Sequence, residues 1–182
     1  MLIASVVAVG MLSGVAAVQL ARSTVSGATV PNTTVAGGGN WQEIAWPFPR
    51  DGWPAGRAFR SDGVELYVRP KIGFCNCDSG VADDDEVDRV ADLDLMSDRF
   101  APLEPGRVVR MADMSGRFRA YHLDMSDGSQ HVAVGFALSR RCDLMVAVAQ
   151  GKGDAAGVQH AALDFLGSAD MTRWMKLALS GG

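Results

Sequence analysis

No stretch of this sequence gathers lysine and arginine into a stripe. Its 17 basic residues are scattered among 21 acidic ones, for a formal charge of −4. Phosphate backbones demand clustered cations, so nucleic acid is not an expected partner. Histidine is scarce as well: His122, His131 and His160 each stand alone in the sequence. There is no Gly-x-Ser-x-Gly elbow and no His-Glu-x-x-His helix. Gly151-Lys152-Gly153 lacks the preceding glycine and the following Ser or Thr of a phosphate loop. These absences weigh against an enzyme and leave no catalytic residue and no cofactor to name. Only three cysteines occur, and none lies in a lipobox, so no lipoprotein anchor is indicated.

What is present describes a globular protein. Of 182 residues, 48% are apolar and 21% charged, enough to bury a core. Residues 1–21 carry no charged side chain. As a helix they would rise roughly 30 Å, the thickness of a hydrocarbon core. Two readings follow: a removable signal peptide or an N-terminal membrane anchor. Val15-Ala16-Ala17 is a small-residue cleavage candidate and Ser26-Gly27-Ala28 a second. Against export, Arg22 follows the apolar run and no Lys or Arg precedes it. Residues 22–40, rich in Ser, Thr and Gly and ending in a triple glycine, read as a flexible tether. The Asn32-Thr33-Thr34 sequon has meaning only in a eukaryotic secretory route. A single domain is expected over residues 41–182.

Within that domain Trp41, Trp46 and Trp53 stand among Pro47, Pro49 and Pro54. The prolines forbid a regular helix, and an arm laying its indoles over the core is favoured over a stacking platform for a sugar or peptide. Arg57–Ser61 and Val64–Arg69, joined by Asp62-Gly63, read as a hairpin. Val64, Leu66 and Val68 face a core there, and Glu65, Tyr67 and Arg69 face water. Pro70 ends the pairing or marks an edge. Four further runs (107–114, 117–125, 130–139 and 144–150) form a meander, with joints at Ser115-Gly116, Asp127–Ser129 and Arg140–Asp143. Val158, Ala161, Ala162, Phe165, Leu166 and Ala169 trace one helical stripe, and Met171, Trp174, Met175 and Ala178 another. The expected fold is α+β: an antiparallel β-sheet of about six strands with helices on one face.

The segment IGFCNCDSGVADDDE, residues 72–86, is the least ordinary. Asp83-Asp84-Asp85-Glu86 precedes a stripe of Val87, Val90, Ala91 and Leu95, so Asp83 is a helix cap and the acids complement the helix dipole. A calcium loop fits worse, because an EF-hand alignment puts Cys75, Cys77 and Ser79 at ligand places. Cys75, Cys77 and Cys142 leave three readings open. One thiol of the pair bridges to Cys142, or all three stay reduced and buried, or Cys75 and Cys77 join His122 and His131 in a redox or soft Cu/Zn site. The bridge is favoured if the chain is exported.

The motifs KIGFCNC and GVADDDEVDRV, with RCDLMVA further on, resemble an uncharacterised family of exported or membrane-tethered alphaproteobacterial proteins. The resemblance runs from the Arg57 hairpin to the C-terminus and implies location and fold, with no assigned activity. Relatives often carry extra cysteines around positions 60–63. Here Arg60-Ser61-Asp62-Gly63 stands there, so the implied disulfide network is reduced. The expected function is a non-enzymatic periplasmic, secreted or inner-membrane-tethered domain that binds a protein or envelope component. Membrane contact would run through residues 1–21 if they are uncleaved. The expected surface is the 72–86 loop with Asp78, Asp83, Asp84, Asp85 and Glu86.

Overall fold

Two long strands, without a polar side chain from Val132 to Leu138 and from Leu144 to Ala149, organise the domain. In Gln130–Arg140 (β7) and Asp143–Gly151 (β8), Val134, Phe136, Leu138, Met145, Ala147 and Ala149 face one side. Ala133, Ala137, Leu144, Val146 and Val148 face the other. A strand of this kind needs cover on both faces. The computed structural model describes residues 39–49, 52 and 54–180. The apolar N-terminal segment, nearly all of the tether and Trp53 lie outside them. Among the described residues no helix is long and apolar enough to cross a membrane.

The remaining strands are Gln42–Ile44 (β1), Arg57–Ser61 (β2), Val64–Lys71 (β3), Arg99–Pro102 (β4), Arg107–Met111 (β5) and Met114–Asp124 (β6). All eight join one antiparallel sheet in the order β1-β2-β3-β8-β7-β6-β4, with β5 also on β6. The α+β class and the antiparallel sheet stand, but the expected six strands become eight. β1 and β4 escaped because they are short, and all four residues of β4 are exposed, which leaves no alternation to read. Ser115-Gly116 does not join β5 to β6 but lies inside β6; Ala112 and Asp113 make the turn, Ala112 at φ 53°. Pro70 stays in β3, opposite Met145. Its missing N–H is tolerated because β2 pairs with β3 only as far as Val68.

Helices cover both faces, not one. Ala155–Leu166 (α2) and Ala169–Ala178 (α3) lay Val158, Phe165, Leu166, Met171 and Met175 on the first face, as their stripes require. Asp154 caps α2 and Ser168 caps α3. Trp41 joins this core, its ring stacked 4.6 Å from Phe165. Asp84–Val90 (α1) covers the second face with Val87, Val90 and Ala91, and Asp83 caps it by accepting from Glu86 N. The helix stops before Leu95, which falls in a separate 3-10 turn, Leu93–Leu95. The single-face expectation failed because the apolar residues of the second parity on β7 and β8 also need a lid.

Gly135 lets α1 come close. A Cβ there would sit 2.8 Å from the Ala91 Cβ and 3.3 Å from the Tyr121 ring. Gly135→Ala should therefore push α1 off the sheet and lower unfolding free energy by about 1–3 kcal/mol, the usual cost of overpacking. Urea denaturation checks this, with Gly153→Ala as a control, where a Cβ meets nothing within 4 Å and the backbone is not left-handed.

Candidate functional site

The cysteine loop is fastened to the β7–β8 turn. Gly73 N donates to Asp143 Oδ1 at 2.7 Å, and Cys75 N donates to Cys142 O at 3.1 Å. Within the loop Asn76 closes a turn, its side chain accepting from Asp78 N and its carbonyl from Gly80 N. Cys77 and Cys142 are bonded, with Cα atoms 4.3 Å apart, and the bridge spans 65 residues. Closing a loop that long restricts the unfolded chain by on the order of 4 kcal/mol in the chain-entropy account. Cys75 is a buried free thiol. Burial, and then the Glu86 charge, push its ionisation up, away from the reactive thiolate.

The structure does not bring the soft-metal set together. Cys77 is already bonded to Cys142. Leu123 pairs with His131 and His122 with Val132, so the two histidines point to opposite faces of the sheet. Among the described residues no three His, Cys, Asp or Glu side chains converge on a metal position. His160 is exposed on α2, 3.3 Å from Asp164.

The acids chosen as an interaction surface divide into two groups. Asp78, Asp83 and Asp85 are exposed, Asp83 while capping α1, whereas Asp84 and Glu86 are half-buried and paired within the molecule. Asp84 accepts from Gly106 N at 2.8 Å and from Arg117 at 2.7 Å. The Gly106 amide, then Arg117, hold its carboxyl below the usual range against a partial burial penalty. Glu86 pairs with Arg89. Asp88, one turn on, accepts from Arg119 at 2.8 Å and from the buried Tyr121 hydroxyl. Burial, reinforced by Asp88, pushes the Tyr121 phenol upward. The acidic helix is thus clamped to two arginines of β6. Much of the charge that reads as a surface in sequence holds α1 in place.

The feature the sequence reading missed lies on the same face, beneath the tryptophan arm. Glu65, Tyr67 and Arg69 were expected to face water, but Tyr67 and Arg69 are buried, as is Lys71. Arg69 and Lys71 share one carboxylate: Arg69 Nη2 lies 2.7 Å from Asp92 Oδ2, and Lys71 Nζ lies 2.6 Å from Asp92 Oδ1. Lys71 also donates to Val90 O at 2.9 Å, the last residue of α1. Asp92 holds these contacts from a left-handed backbone, φ 56°, which is strained for a residue with a side chain. Arg69 Nη1 is buried with no hydrogen-bond partner. Trp46 and Phe48 roof the position; Phe48 stands 4.9 Å and Trp46 6.2 Å from the Tyr67 ring. Leu95, Met96, Val146 and Val148 complete the walls. The arm therefore covers the core at both ends, Trp41 over one face and Trp46 over the other. One sequence signal pointed here: the alternation of β3 continues into two cations, Arg69 and Lys71, in a strand whose other side is core.

A second polar group lies at the end of the same face. Glu65 receives Arg60 on one oxygen, and Tyr67 and Gln150 on the other. Burial raises the Glu65 carboxyl, but the hydrogen bonds from Tyr67, Arg60 and Gln150 outweigh it and hold the group below its ordinary value.

No family model and no curated protein matches the chain. Among solved structures it is similar to the Pseudomonas aeruginosa protein PA94, of unknown function. The likeness has 11% identity and a TM-score of 0.38, over 67% of this chain and 88% of that one.

The depressed Asp84 carboxyl sets an acid limit. Its contribution to stability is complete above the unfolded carboxylate value of about 3.9 and is lost as pH falls through the lower folded value. Asp84→Asn should unfold at lower urea than the wild type at pH 7, and the gap should close toward pH 2. A gap that persists in acid would show that the charge is not what holds α1.

Proposed function

We propose that the chain is an exported or membrane-tethered, non-catalytic binding domain that engages a protein or envelope component from the periplasmic side. The observation that carries this reading is the Cys77–Cys142 bridge between the loop and the sheet. Structural disulfides form and persist in oxidising compartments and are rare where thiols are kept reduced. The uncharged residues 1–21 supply the targeting or anchoring element, and residues 22–40 the tether. The family resemblance of the KIGFCNC and GVADDDE motifs points the same way.

A binding role is favoured over chemistry because the titratable groups are engaged in fastening the fold. Asp84 and Asp88 hold α1, Glu65 orders Arg60 and Gln150, and the Cys75 thiol is buried. The working surface moves accordingly, from the acidic helix toward the arm-roofed pocket on the same face.

Thiol accounting on protein taken from its native compartment tests the reading. One alkylatable thiol per chain is expected after denaturation without reductant, and three after reduction; Cys75→Ser should abolish the first. Three free thiols before reduction would defeat the export reading. Capture of the tethered protein from intact membranes would then identify what it engages.

A further inference from the structure

The edge of a sheet is where another strand can be added, and apolar side chains left exposed there invite it. Of the four large hydrophobic side chains exposed among the described residues, three lie along one edge: Phe100 at 40%, Leu103 at 51% and Val108 at 69%. β4 and β5 follow one another on the same side of β6. Leu103 N still donates to Ala120 O and Arg107 already pairs with Phe118, so residues 104–106 bulge out opposite Arg119. The bulge is fixed in place. Gly106 N donates to Asp84, and the carbonyls of Glu104 and Gly106 accept from Arg119 and Arg117. With the hairpin turn beyond Met111, β5 is thus held at both ends.

The turn also decides which way β5 presents its backbone. A two-residue hairpin makes Met111 and Met114 a hydrogen-bonded pair, and such pairs alternate along antiparallel strands. Arg107, Val109 and Met111 therefore bond to β6, while the amides and carbonyls of Val108 and Arg110 point away from it. No strand of the described residues pairs with that side. β4 is closed by comparison, because the Leu103–Ala120 bond turns Pro102 outward, where it has no N–H to offer. The side chains narrow what fits. β4 and β5 together hold three arginines and no acid, in a chain whose formal charge is −4. Within β5 the run is Arg107-Val108-Val109-Arg110. Arg110 makes no ion pair among the described residues, and Arg107 only an exposed, weak one with Glu104 at 3.1 Å. A second copy laid edge to edge would bring arginines against arginines, which disfavours self-pairing.

We propose that β5 is a docking edge for an extended segment of a partner protein with the pattern acid, apolar, apolar, acid, added to the sheet as a further strand. The outward groups of Val108 and Arg110 supply its main-chain hydrogen bonds, and Val108 gains the cover it lacks. Acids opposite Arg107 and Arg110 select the partner, since opposite charges on facing residues stabilise a strand pair and like charges oppose it. The arginine guanidinium is matched to a carboxylate by its planar fork of donors. The inference rests on the binding reading above, adds a surface to the arm-roofed pocket and does not depend on export.

Fluorescence anisotropy of the full chain with a labelled, end-blocked Thr-Glu-Val-Val-Glu-Thr peptide tests it. The controls are Thr-Lys-Val-Val-Lys-Thr and a copy of the first peptide N-methylated at both valines. Saturable binding is expected for the glutamate peptide, weakening as salt rises, with each control weaker by about tenfold or more. Arg107→Glu combined with Arg110→Glu changes two exposed side chains, so the protein should fold and exchange its preference for the lysine peptide. Val108→Pro removes an outward amide without costing a bond to β6 and should weaken binding about as much as N-methylation does. No saturable binding of the glutamate peptide, equal binding of either control, or an unchanged preference in the double variant would each overturn the assignment. So would a dimer in sedimentation that Val108→Pro dissociates, because the edge would then serve a second copy. Should the variants fail to fold, the three peptides on the wild type decide. Failure of the peptide leaves the thiol count unaffected, so failure of this edge and failure of the export reading are separable.

Discussion

The constraint on which the domain depends is the two-sided apolarity of β7 and β8. A central ribbon with Phe136, Leu138 and Met145 on one face and Leu144, Val146 and Val148 on the other cannot leave either face wet. At about 25 cal/mol per Å² of apolar surface removed from water, either face left bare would forfeit a large share of the net stability of a domain this size. The two covers are built differently. On the first face a helical hairpin with conventional stripes supplies the lid. On the second, α1 is only seven residues long, too short to hold itself by backbone propagation. Its cover is patched together from that helix, the cysteine loop and the tryptophan arm.

A short helix needs fastening from outside itself, which explains why charge is concentrated there. Asp84 and Asp88 grip Arg117 and Arg119, the cap at Asp83 closes the first turn, and Lys71 reaches the Val90 carbonyl at the far end. The Cys77–Cys142 bridge ties down the loop that leads into it. These contacts are mostly half-buried ion pairs, in which removing one partner costs more than the pair contributes. The second face is therefore held by specific polar geometry and the first by volume.

That difference governs what could be read from sequence. The hairpin of β2 and β3, the meander from β5 to β8 and both C-terminal helices announce themselves by period, because period reflects burial on one face. The cap at Asp83 was equally legible, since capping is local chemistry. The placement of α1 on the opposite face was not. Val87, Val90 and Ala91 say only that one side of the helix is buried, not which sheet face buries it. The acids misled in the same manner: Asp84 looks like a surface charge until Arg117, thirty-three residues away, is brought beside it. The second parity of β3 reads as solvent-facing because Tyr67, Arg69 and Lys71 are polar at their tips. Their burial comes from Asp92 and the arm, partners no local pattern contains.

The same reasoning indicates which face has room to rearrange. A face filled by volume has no spare donors, and its helices leave little to rearrange without opening the core. A face held by polar geometry tolerates local exchange, because one partner can be substituted for another of the same chemistry. Of the three buried side-chain atoms without a hydrogen bond among the described residues, Arg69 Nη1 and Gln150 Oε1 hang from adjacent strands of this face, and His131 Nδ1 lies beside Gln150. Incomplete satisfaction is thus confined to the side where the cover is assembled from loop, short helix and arm. Of the three atoms, the Arg69 nitrogen alone belongs to a group that is always charged, and Arg69 lines the same cavity as the arm residues Trp46 and Phe48.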